Sequence, residues 1–341
     1  MKVWKVTHPG VLQLEDLGPS KVTTNSVKVK MLSASISSTE KLVYNGSLDV
    51  DLPRVLGRQG AGMISEVDPS VTAFKRGDRV YVSSQVACGE CYFCKTGKIS
   101  ECSHLLTHGK NTDGVLSDFA IISQDNLYLL PDANRVSNEE AVFIENIALA
   151  ITTLNTLHIS RGDHLAIVGA SALGLIIAQI ALYYQAVPIL IDKRPENLAL
   201  AEQSDIYYSI NSQKEDVTKR IYSITGGKMA KRVIYTLDSE AMSIDKSFEL
   251  VSKNAQYAFA GTDPDLENIT ANLKPLFDNS VTLYSINSTS ENITAAINML
   301  ANKKVDVSNL MTVIPFDSVK DYVDRIANGE DFIQLVVKNE N

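Results

Sequence analysis

Residues 164–192, HLAIVGASALGLIIAQIALYYQAVPILID, decide the fold of this chain. The run HLAIV is typical of a buried strand, LGLIIAQIALYY predicts a helix, and VPILI predicts a second strand. A strand, a glycine turn, a helix and a strand in this order predict a right-handed βαβ unit on a parallel sheet. Similar segments follow, among them SIDKSFELVSK (residues 243–253) as a helix, so residues 146–286 are predicted to form one α/β domain with a doubly wound parallel sheet.

The turn inside this unit reads Gly169-Ala170-Ser171-Ala172-Leu173-Gly174. It matches the dinucleotide pattern G-x-G-x-x-G except that Ser171 stands at the middle glycine. The first glycine permits the tight turn, and the last permits close packing of the helix on the strand. The middle one normally lets the backbone approach a pyrophosphate, so the serine should tighten the fit. The position of the turn, after a strand and at the start of a helix, favours a dinucleotide site over a fold of this kind that binds none.

The end of the second strand bears on which dinucleotide is bound. Asp192 stands there, where a carboxylate accepts hydrogen bonds from the adenosine ribose hydroxyls and repels a 2′-phosphate. We therefore predict NAD, with Asp192 on the ribose. Lys193 and Arg194 follow directly and leave NADP open, because an arginine beside the ribose accommodates that phosphate.

The chain before residue 146 has a different sequence pattern. Short alternating or apolar runs such as VKVKMLSASI, GAGMISEV and DRVYVSS are separated by turn residues, which predicts an antiparallel, β-rich domain over residues 1–145. Residues 287–341 give two more helices and a closing strand, FIQLVVK. We expect this last segment to return and complete the first domain.

Composition excludes several classes of protein. The 341 residues are 45% hydrophobic and 21% charged, which is typical of a globular protein with room for two domains. The formal net charge of −8 is the opposite of a nucleic-acid-binding footprint. No apolar run approaches the ~20 residues of a spanning helix, and no signal peptide is visible, so we predict no membrane association and a cytoplasmic location.

All four cysteines fall within fifteen positions, as Cys88, Cys91, Cys94 and Cys102. The spacing C-x2-C-x2-C-x7-C places three thiolates in one tight loop and a fourth a short distance on, which predicts a tetrahedral zinc site. Four sulfur ligands leave no open position, so this zinc would be structural and would organise a lobe of about residues 85–105. An iron–sulfur cluster and four unrelated buried cysteines are the alternatives.

Further landmarks occur along the chain: Leu56-Gly57 with Gly60 and Gly62, Gly77-Asp78-Arg79-Val80, Asp113-Gly114, Leu130-Pro131-Asp132, and Glu145 ahead of Ala148. With the cysteines and the glycine turn, they resemble the medium-chain, zinc-containing alcohol and polyol dehydrogenase family over essentially the whole chain. The resemblance implies a GroES-like catalytic domain, a Rossmann cofactor domain, and hydride transfer between nicotinamide and a small alcohol or carbonyl.

The resemblance also implies a catalytic zinc held by a cysteine, a histidine and an acidic residue. The cysteine would lie in Ile-Cys-Gly-Ser-Asp, but this chain has Ser37 in the second place of Ile-Ser-Ser-Thr-Glu. The histidine would lie in Leu-Gly-His-Glu, but this chain has Arg58 there; only Glu145 is preserved. A neutral serine is a poor zinc ligand and a protonated arginine is none, so we predict that the catalytic metal is absent.

The replacement of a metal ligand by a cation predicts a compensating contact. A retained carboxylate at Glu145 would be buried and unpaired without its zinc, which is costly. We predict that Arg58 forms an ion pair with Glu145 within hydrogen-bonding distance; the alternative is a surface arginine unconnected with it. Thr39 stands where the family begins a proton relay, so Thr39 or Ser37 is expected to relay the proton, unless Thr39 only caps a turn.

Three functions are compatible with these features. The first is an NAD(H)-dependent dehydrogenase without catalytic zinc, whose Arg58 suits a small and anionic substrate. The second is a catalytically inactive, dehydrogenase-like nucleotide-binding protein, and the third is an NADPH-dependent, zinc-free carbonyl or alkene reductase. A homodimer or homotetramer is expected, with SVTLYSI as the pairing edge strand.

Overall fold

The computed structural model describes residues 1–237, 241–261, 271–287 and 290–339. The chain folds into two compact units. One unit comprises Met1–Glu145, Ile293–Asn302 and Met311–Asn341, and the other comprises Asn146–Asn292 and Lys303–Leu310. The predicted fold class, a β-rich domain with a parallel-sheet α/β domain, is confirmed.

The described residues contain eighteen strands. In chain order they are β1 (Lys2–His8), β2 (Val11–Asp16), β3 (Ser26–Ile36), β4 (Arg54–Val55), β5 (Gly60–Val67), β6 (Arg79–Val82), β7 (Gln85–Val86), β8 (Leu106–Thr107), β9 (Phe119–Ser123), β10 (Leu127–Leu129), β11 (His164–Val168), β12 (Val187–Asp192), β13 (Tyr208–Asn211), β14 (Ala230–Thr236), β15 (Val251–Ala260), β16 (Thr282–Ile286), β17 (Thr312–Pro315) and β18 (Leu335–Lys338).

The α-helices within the described ranges number eleven, and short 3-10 turns connect some of the elements. They are α1 (Ser38–Asn45), α2 (Tyr92–Lys95), α3 (Asn138–Ala141), α4 (Ile144–Thr156), α5 (Ala172–Tyr183), α6 (Pro195–Gln203), α7 (Val217–Ile224), α8 (Ile244–Ser247), α9 (Lys274–Asp278), α10 (Ile293–Ala301) and α11 (Val319–Ala327). None of these helices is both long and apolar enough to cross a membrane.

The first unit is built around a seven-stranded sheet with the order β10-β6-β5-β3-β18-β17, and β9 pairs with β3 off this path. The carboxy-terminal strand β18 lies antiparallel to β3, so the end of the chain completes the sheet begun near its start, as expected. Trp4 ties the same two regions together, because its Nε1 donates to the carbonyl oxygen of Phe316 at 2.8 Å. Alternating apolar side chains of these strands form one buried core.

The second unit holds a six-stranded parallel sheet with the order β13-β12-β11-β14-β15-β16. All of its strand pairs are parallel, and its apolar strands form a separate core. This order places the carboxyl ends of β11, β12, β13 and β14 along one edge, where ligands of open α/β sheets bind.

Two segments differ from the sequence expectation. The helix expected over residues 243–253 is limited to α8 and a 3-10 turn, because Val251 already begins β15 and pairs with Ala230 of β14. The return segment, expected as 287–341, is divided, since residues 303–310 lie in the second unit. Gln179 of α5 holds this stretch by donating to the backbone oxygen of Asp306 and accepting from its N–H.

Candidate active site

The glycine turn has the backbone that its sequence predicts. Gly169 has a φ of +114°, and its N–H donates to the carbonyl of Ile191 at 2.8 Å. A Cβ at Gly174 would stand 1.9 Å from the carbonyl oxygen of Gly169, so only glycine fits there. Ser171 is the N-cap of α5, and its Oγ accepts from the N–H of Gly174 at 3.2 Å. The serine therefore stabilises the start of the helix that a pyrophosphate would face.

Asp192 at the end of β12 is fully buried. Its Oδ2 accepts from the N–H of Ala170 at 2.8 Å, and its Oδ1 accepts from the N–H of Arg194 at 2.8 Å. The Arg194 guanidinium also approaches Oδ1, with Nε at 3.5 Å. The carboxylate thus binds the backbone of the glycine turn and also pairs with Arg194.

A cavity of 730 Å³ lies at the carboxyl ends of β12, β13 and β14. Its lining includes Lys193 after β12, Ser212 after β13, and Tyr235 within β14. The second unit therefore combines a helix start at a glycine turn with a cavity at the edge of the sheet where dinucleotides bind.

The four predicted metal ligands come together in the first unit. Their sulfur atoms all lie within 4.8 Å of one another, with separations of 3.5 Å for Cys91–Cys94 and Cys88–Cys102 and 3.9 Å for Cys88–Cys94. A tetrahedral zinc with Zn–S bonds of about 2.3 Å requires sulfurs roughly 3.8 Å apart. Backbone hydrogen bonds from Cys94 and Ser103 lower the pKa of the Cys91 thiol to about 6, whereas burial raises the pKa of Cys94 to about 12. These residues fit a zinc ion with four thiolate ligands.

The strand pair β7–β8 closes this lobe at its base. Ser84 immediately precedes β7, and His108 immediately follows β8. The N–H of His108 donates to the carbonyl oxygen of Ser84 at 2.9 Å, which continues the pairing beyond the strands. The metal lobe consequently fixes the positions of two buried polar residues, neither of which the sequence singled out.

Ser37 and Glu40 form the N-terminal cap of α1. The Ser37 hydroxyl donates to Oε2 of Glu40 at 2.6 Å, and the Ser37 N–H donates to the same oxygen at 2.7 Å. Oγ of Ser37 in turn accepts from the N–H of Thr39 at 3.3 Å, and the two residues form a capping box in which the hydroxyl hydrogen of Ser37 is committed to Glu40. Ser37 therefore lies at the start of the helix that carries Thr39, but its hydroxyl proton is already donated to Glu40.

Arg58, Thr39 and Glu145 are brought together as the sequence predicts, with one difference. Nη1 of Arg58 donates to the Thr39 hydroxyl at 3.3 Å, and Nη2 lies 3.9 Å from Oε2 of Glu145. The second distance is an ion pair but not the predicted hydrogen bond. The Glu145 side chain is 5% exposed and that of Arg58 is 23% exposed, so the pair is largely buried.

Ser84 explains why Arg58 lies 3.9 Å from Glu145, because Ser84 supplies hydrogen bonds to the Glu145 carboxylate. Its N–H donates to Oε1 at 2.7 Å and its hydroxyl to Oε2 at 2.8 Å. Tyr81, which donates to the side chain of Gln59, lies in the same cluster. Burial, reinforced by the charge of Glu145, raises the pKa of Tyr81 well above its usual value, so this phenol stays neutral.

The donor set at this place does not fit a catalytic zinc ion. Ser37 is engaged with Glu40, and a guanidinium stands where the family has an imidazole. Among the residues that the structure describes, the four cysteines are the only group of three or more His, Cys, Asp or Glu side chains spaced for a metal. The cluster therefore carries a fixed cation beside a buried carboxylate.

Two family models match the chain. The alcohol dehydrogenase GroES-like domain matches residues 23–132, and the zinc-binding dehydrogenase model matches residues 172–302. Together they span most of both units. The first match contains the four cysteines, and the second begins within the glycine turn.

Similar proteins cover the chain almost from end to end. Sorbitol dehydrogenase of Bacillus subtilis is 27% identical over 318 residues, which is 92% of this chain and 89% of that protein. D-arabitol-phosphate dehydrogenase of Enterococcus avium is 26% identical over 348 residues, 97% and 96% of the two chains. An Escherichia coli alcohol dehydrogenase solved with NADH has the same fold, with a TM-score of 0.87 at 23% identity over 99% of both chains.

Proposed function

We propose, from the premise that the chain belongs to the medium-chain, zinc-containing alcohol and polyol dehydrogenase family, that it is an NAD(H)-dependent dehydrogenase working without a catalytic zinc. In this proposal one zinc is structural and is held by Cys88, Cys91, Cys94 and Cys102. The observation that carries it is the position of Arg58, which contacts Thr39 and pairs with Glu145 where the family's metal ligands are replaced.

Arg58 takes over the electrostatic task at the substrate oxygen. Its buried Nε has no hydrogen-bond partner among the described residues, so the guanidinium retains a donor for a ligand. A preorganised donor directed at a developing oxyanion supplies on the order of 3 kcal/mol of transition-state stabilisation. Thr39 accepts from Arg58, which leaves its own hydroxyl hydrogen for the substrate, whereas the hydrogen of Ser37 is committed to Glu40.

NAD is assigned to the turn Gly169–Gly174, with its adenosine at the carboxyl ends of β12 and β13. The helix start capped by Ser171 and the cavity lined by Lys193 and Ser212 support this assignment. When bound, the cofactor supplies the hydride acceptor or donor. Arg194 lies against the Asp192 carboxylate, so we expect the preference for NAD over NADP to be modest.

The substrate is a small alcohol or carbonyl compound, and an anionic group on it would suit Arg58. Glu145 neutralises part of that charge at 3.9 Å, so the site favours a singly charged group over a dianion. The similarity to a dehydrogenase of a phosphorylated polyol supports testing polyol phosphates alongside simple polyols.

The test is a substrate panel with NAD and NADP, followed through the absorbance of the reduced cofactor. We expect turnover of at least one polyol, polyol phosphate or hydroxy acid, and a loss of about 100-fold in kcat/KM for Arg58→Gln. Arg220→Ala, at an exposed position, is the matched control. NAD binding by calorimetry without turnover of any substrate would instead identify a nucleotide-binding protein, and turnover confined to activated alkenes with NADPH would identify a reductase.

A cytoplasmic location and a homo-oligomeric state belong to the same proposal.

A further inference from the structure

The loop that follows β8 is packed against the residue pair that precedes Arg58. The N–H groups of Val115 and Leu116 donate to the carbonyl oxygens of Gly57 and Leu56, both at 2.9 Å. A Cβ at Gly109 would stand 3.4 Å from three backbone atoms of Gly57, so the two glycine backbones are nearly in contact. His108 and Arg58 are the neighbours of these two glycines, so their side chains start from adjacent stretches of backbone.

The tautomer of His108 follows from its one side-chain contact. Its Nδ1 lies 2.8 Å from the carbonyl oxygen of Asp113, and a carbonyl oxygen can only accept. Nδ1 therefore carries the hydrogen, and Nε2 presents a lone pair. His108 is 8% exposed, and its Nε2 is buried with no hydrogen-bond partner among the described residues. A buried acceptor of this kind calls for a donor that the protein itself does not provide.

The groups around His108 keep the imidazole neutral. Burial lowers the pKa of His108 below its usual value, while the carbonyl and the carboxylate of Asp113 and the carboxylate of Glu145 oppose this shift. The imidazole is thus a free base at neutral pH, with Glu145 available to stabilise the cation once a proton arrives.

We propose that Nε2 of His108 accepts the hydroxyl proton of the alcohol substrate, which makes His108 a catalytic residue of this zinc-free site. The inference rests on the proposed dehydrogenase function. In the oxidation, the O–H bond of the alcohol breaks and its proton goes to Nε2, while the carbinol C–H bond breaks and its hydride goes to C4 of the nicotinamide of NAD⁺. The carbon is oxidised by two electrons to a carbonyl, NAD⁺ is reduced to NADH, and the imidazolium then releases its proton to solvent.

In this proposal His108 and Arg58 have separate tasks at the substrate oxygen. Arg58 stabilises the negative charge that develops on the oxygen, and His108 removes the proton that produces it. In the reverse direction the imidazolium protonates the oxygen of the reduced carbonyl.

The experiment compares His108→Gln with His8→Gln, an exposed histidine of the same unit, using whichever alcohol the wild type oxidises. We expect His108→Gln to lower kcat/KM by about 100-fold or more, with NAD affinity and folded-state circular dichroism unchanged. The wild-type activity should fall as the pH drops through the pKa of His108, below about 6.5, and the variant should lose that limb. Added imidazole should restore part of the activity of His108→Ala, which a structural role would not allow.

Nitrogen-15 spectra of the histidines in the wild-type protein provide a readout that needs neither a variant nor a substrate. We expect His108 to be neutral and protonated at Nδ1 at pH 7. A spectrum with the hydrogen on Nε2 would overturn the inference. So would a His108→Gln enzyme that keeps the wild-type pH profile and a kcat/KM within about threefold of wild type. In those cases the dehydrogenase function would stand, whereas a wild type that oxidises no alcohol would overturn both.

Discussion

Arg58 is the residue at which the site departs furthest from its family. Removing one member of a buried ion pair typically costs ~3–5 kcal/mol, because the other charge is left without compensation. Here Glu145 keeps two donors from Ser84, and the guanidinium is partly exposed. We therefore expect Arg58→Ala to lower the free energy of unfolding by only about 1–2 kcal/mol, measured by chemical denaturation.

Two comparisons sharpen this prediction. Arg220→Ala, which removes an exposed cation, should change the free energy of unfolding by less than about 0.5 kcal/mol. Ser84→Ala combined with Arg58→Ala should cost more than the sum of the two single changes, because Glu145 then loses both kinds of partner. A loss above ~3 kcal/mol for Arg58→Ala alone would mean that the arginine, not Ser84, stabilises the carboxylate.

A second prediction concerns Ser171 in the glycine turn. Its hydroxyl caps α5, so Ser171→Ala should cost about 1 kcal/mol, whereas Ser171→Gly should cost only a few tenths and bring the turn back to the usual glycine pattern. We expect the glycine variant to bind NAD more tightly by calorimetry, because the backbone can then approach the pyrophosphate. Equal affinity in the wild type and the glycine variant would show that the serine does not restrict the cofactor.

Individual residues also show where sequence reasoning succeeds and where it stops. The pairing of Arg58 with Glu145 was predicted from the family resemblance together with charge, whereas the capping box of Ser37 and Glu40 was not predicted. The donors from Ser84 were not predictable, because they depend on a strand end 61 positions away from Glu145. His108 carries no local signal at all, and only its unpartnered Nε2 distinguishes it from an ordinary core histidine.

The zinc lobe is the element that links metal binding to the site. We predict one zinc per chain by elemental analysis, and its loss in Cys94→Ser but not in Lys95→Ala. Because β7 and β8 close the lobe directly beside Ser84 and His108, removal of the metal by a chelator should lower turnover as well as the melting temperature. Freshly purified protein with no zinc, or with iron and visible colour, would contradict this assignment.

The helices α1 and α11 are joined by one hydrogen bond, from the Tyr44 hydroxyl to Oδ1 of Asp324 at 2.6 Å. This bond raises the pKa of Tyr44 from 10.0 to about 12. A raised folded-state pKa stabilises the fold below the unfolded value, so the contribution is complete below pH 10 and is lost as the pH rises toward 12. Tyr44→Phe should lower stability by about 1 kcal/mol at pH 7 and show a smaller loss than wild type above pH 10.

The matched control is Tyr207→Phe, since that side chain is 86% exposed. It should change neither the free energy of unfolding at pH 7 nor the alkaline limb of the stability curve. If Tyr44→Phe behaves like this control, the bond between the two helices contributes nothing in solution.

At the scale of the whole molecule, the sequence predicted the two folds but not how the end of the chain is shared between the two units. The glycine turn and its flanking apolar runs are local signals, and β11, α5 and β12 follow them closely. The return of β18 to the first unit was expected from the order of the segments, but the placement of residues 303–310 depends on contacts over long separations, such as Gln179 with Asp306. Such contacts leave no periodicity in the sequence for a pattern to detect.

The oligomeric state is the last prediction, and it depends on β16. This strand is the last in the order of the parallel sheet, and its sequence, TLYSI, contains no charge and no proline that would protect an edge. Leu283 on the strand is 46% exposed, and Phe277 just before it is 85% exposed. An unprotected apolar edge favours pairing with a second copy about a two-fold axis, which yields a homodimer or, with a further interface, a homotetramer.

We expect wild-type protein to sediment above its chain mass of 37.3 kDa at micromolar concentration, and Leu283→Lys to shift it to the monomer. Leu129→Lys, at an exposed leucine of the other unit, should leave the mass unchanged, and a monomeric wild type would refute the prediction.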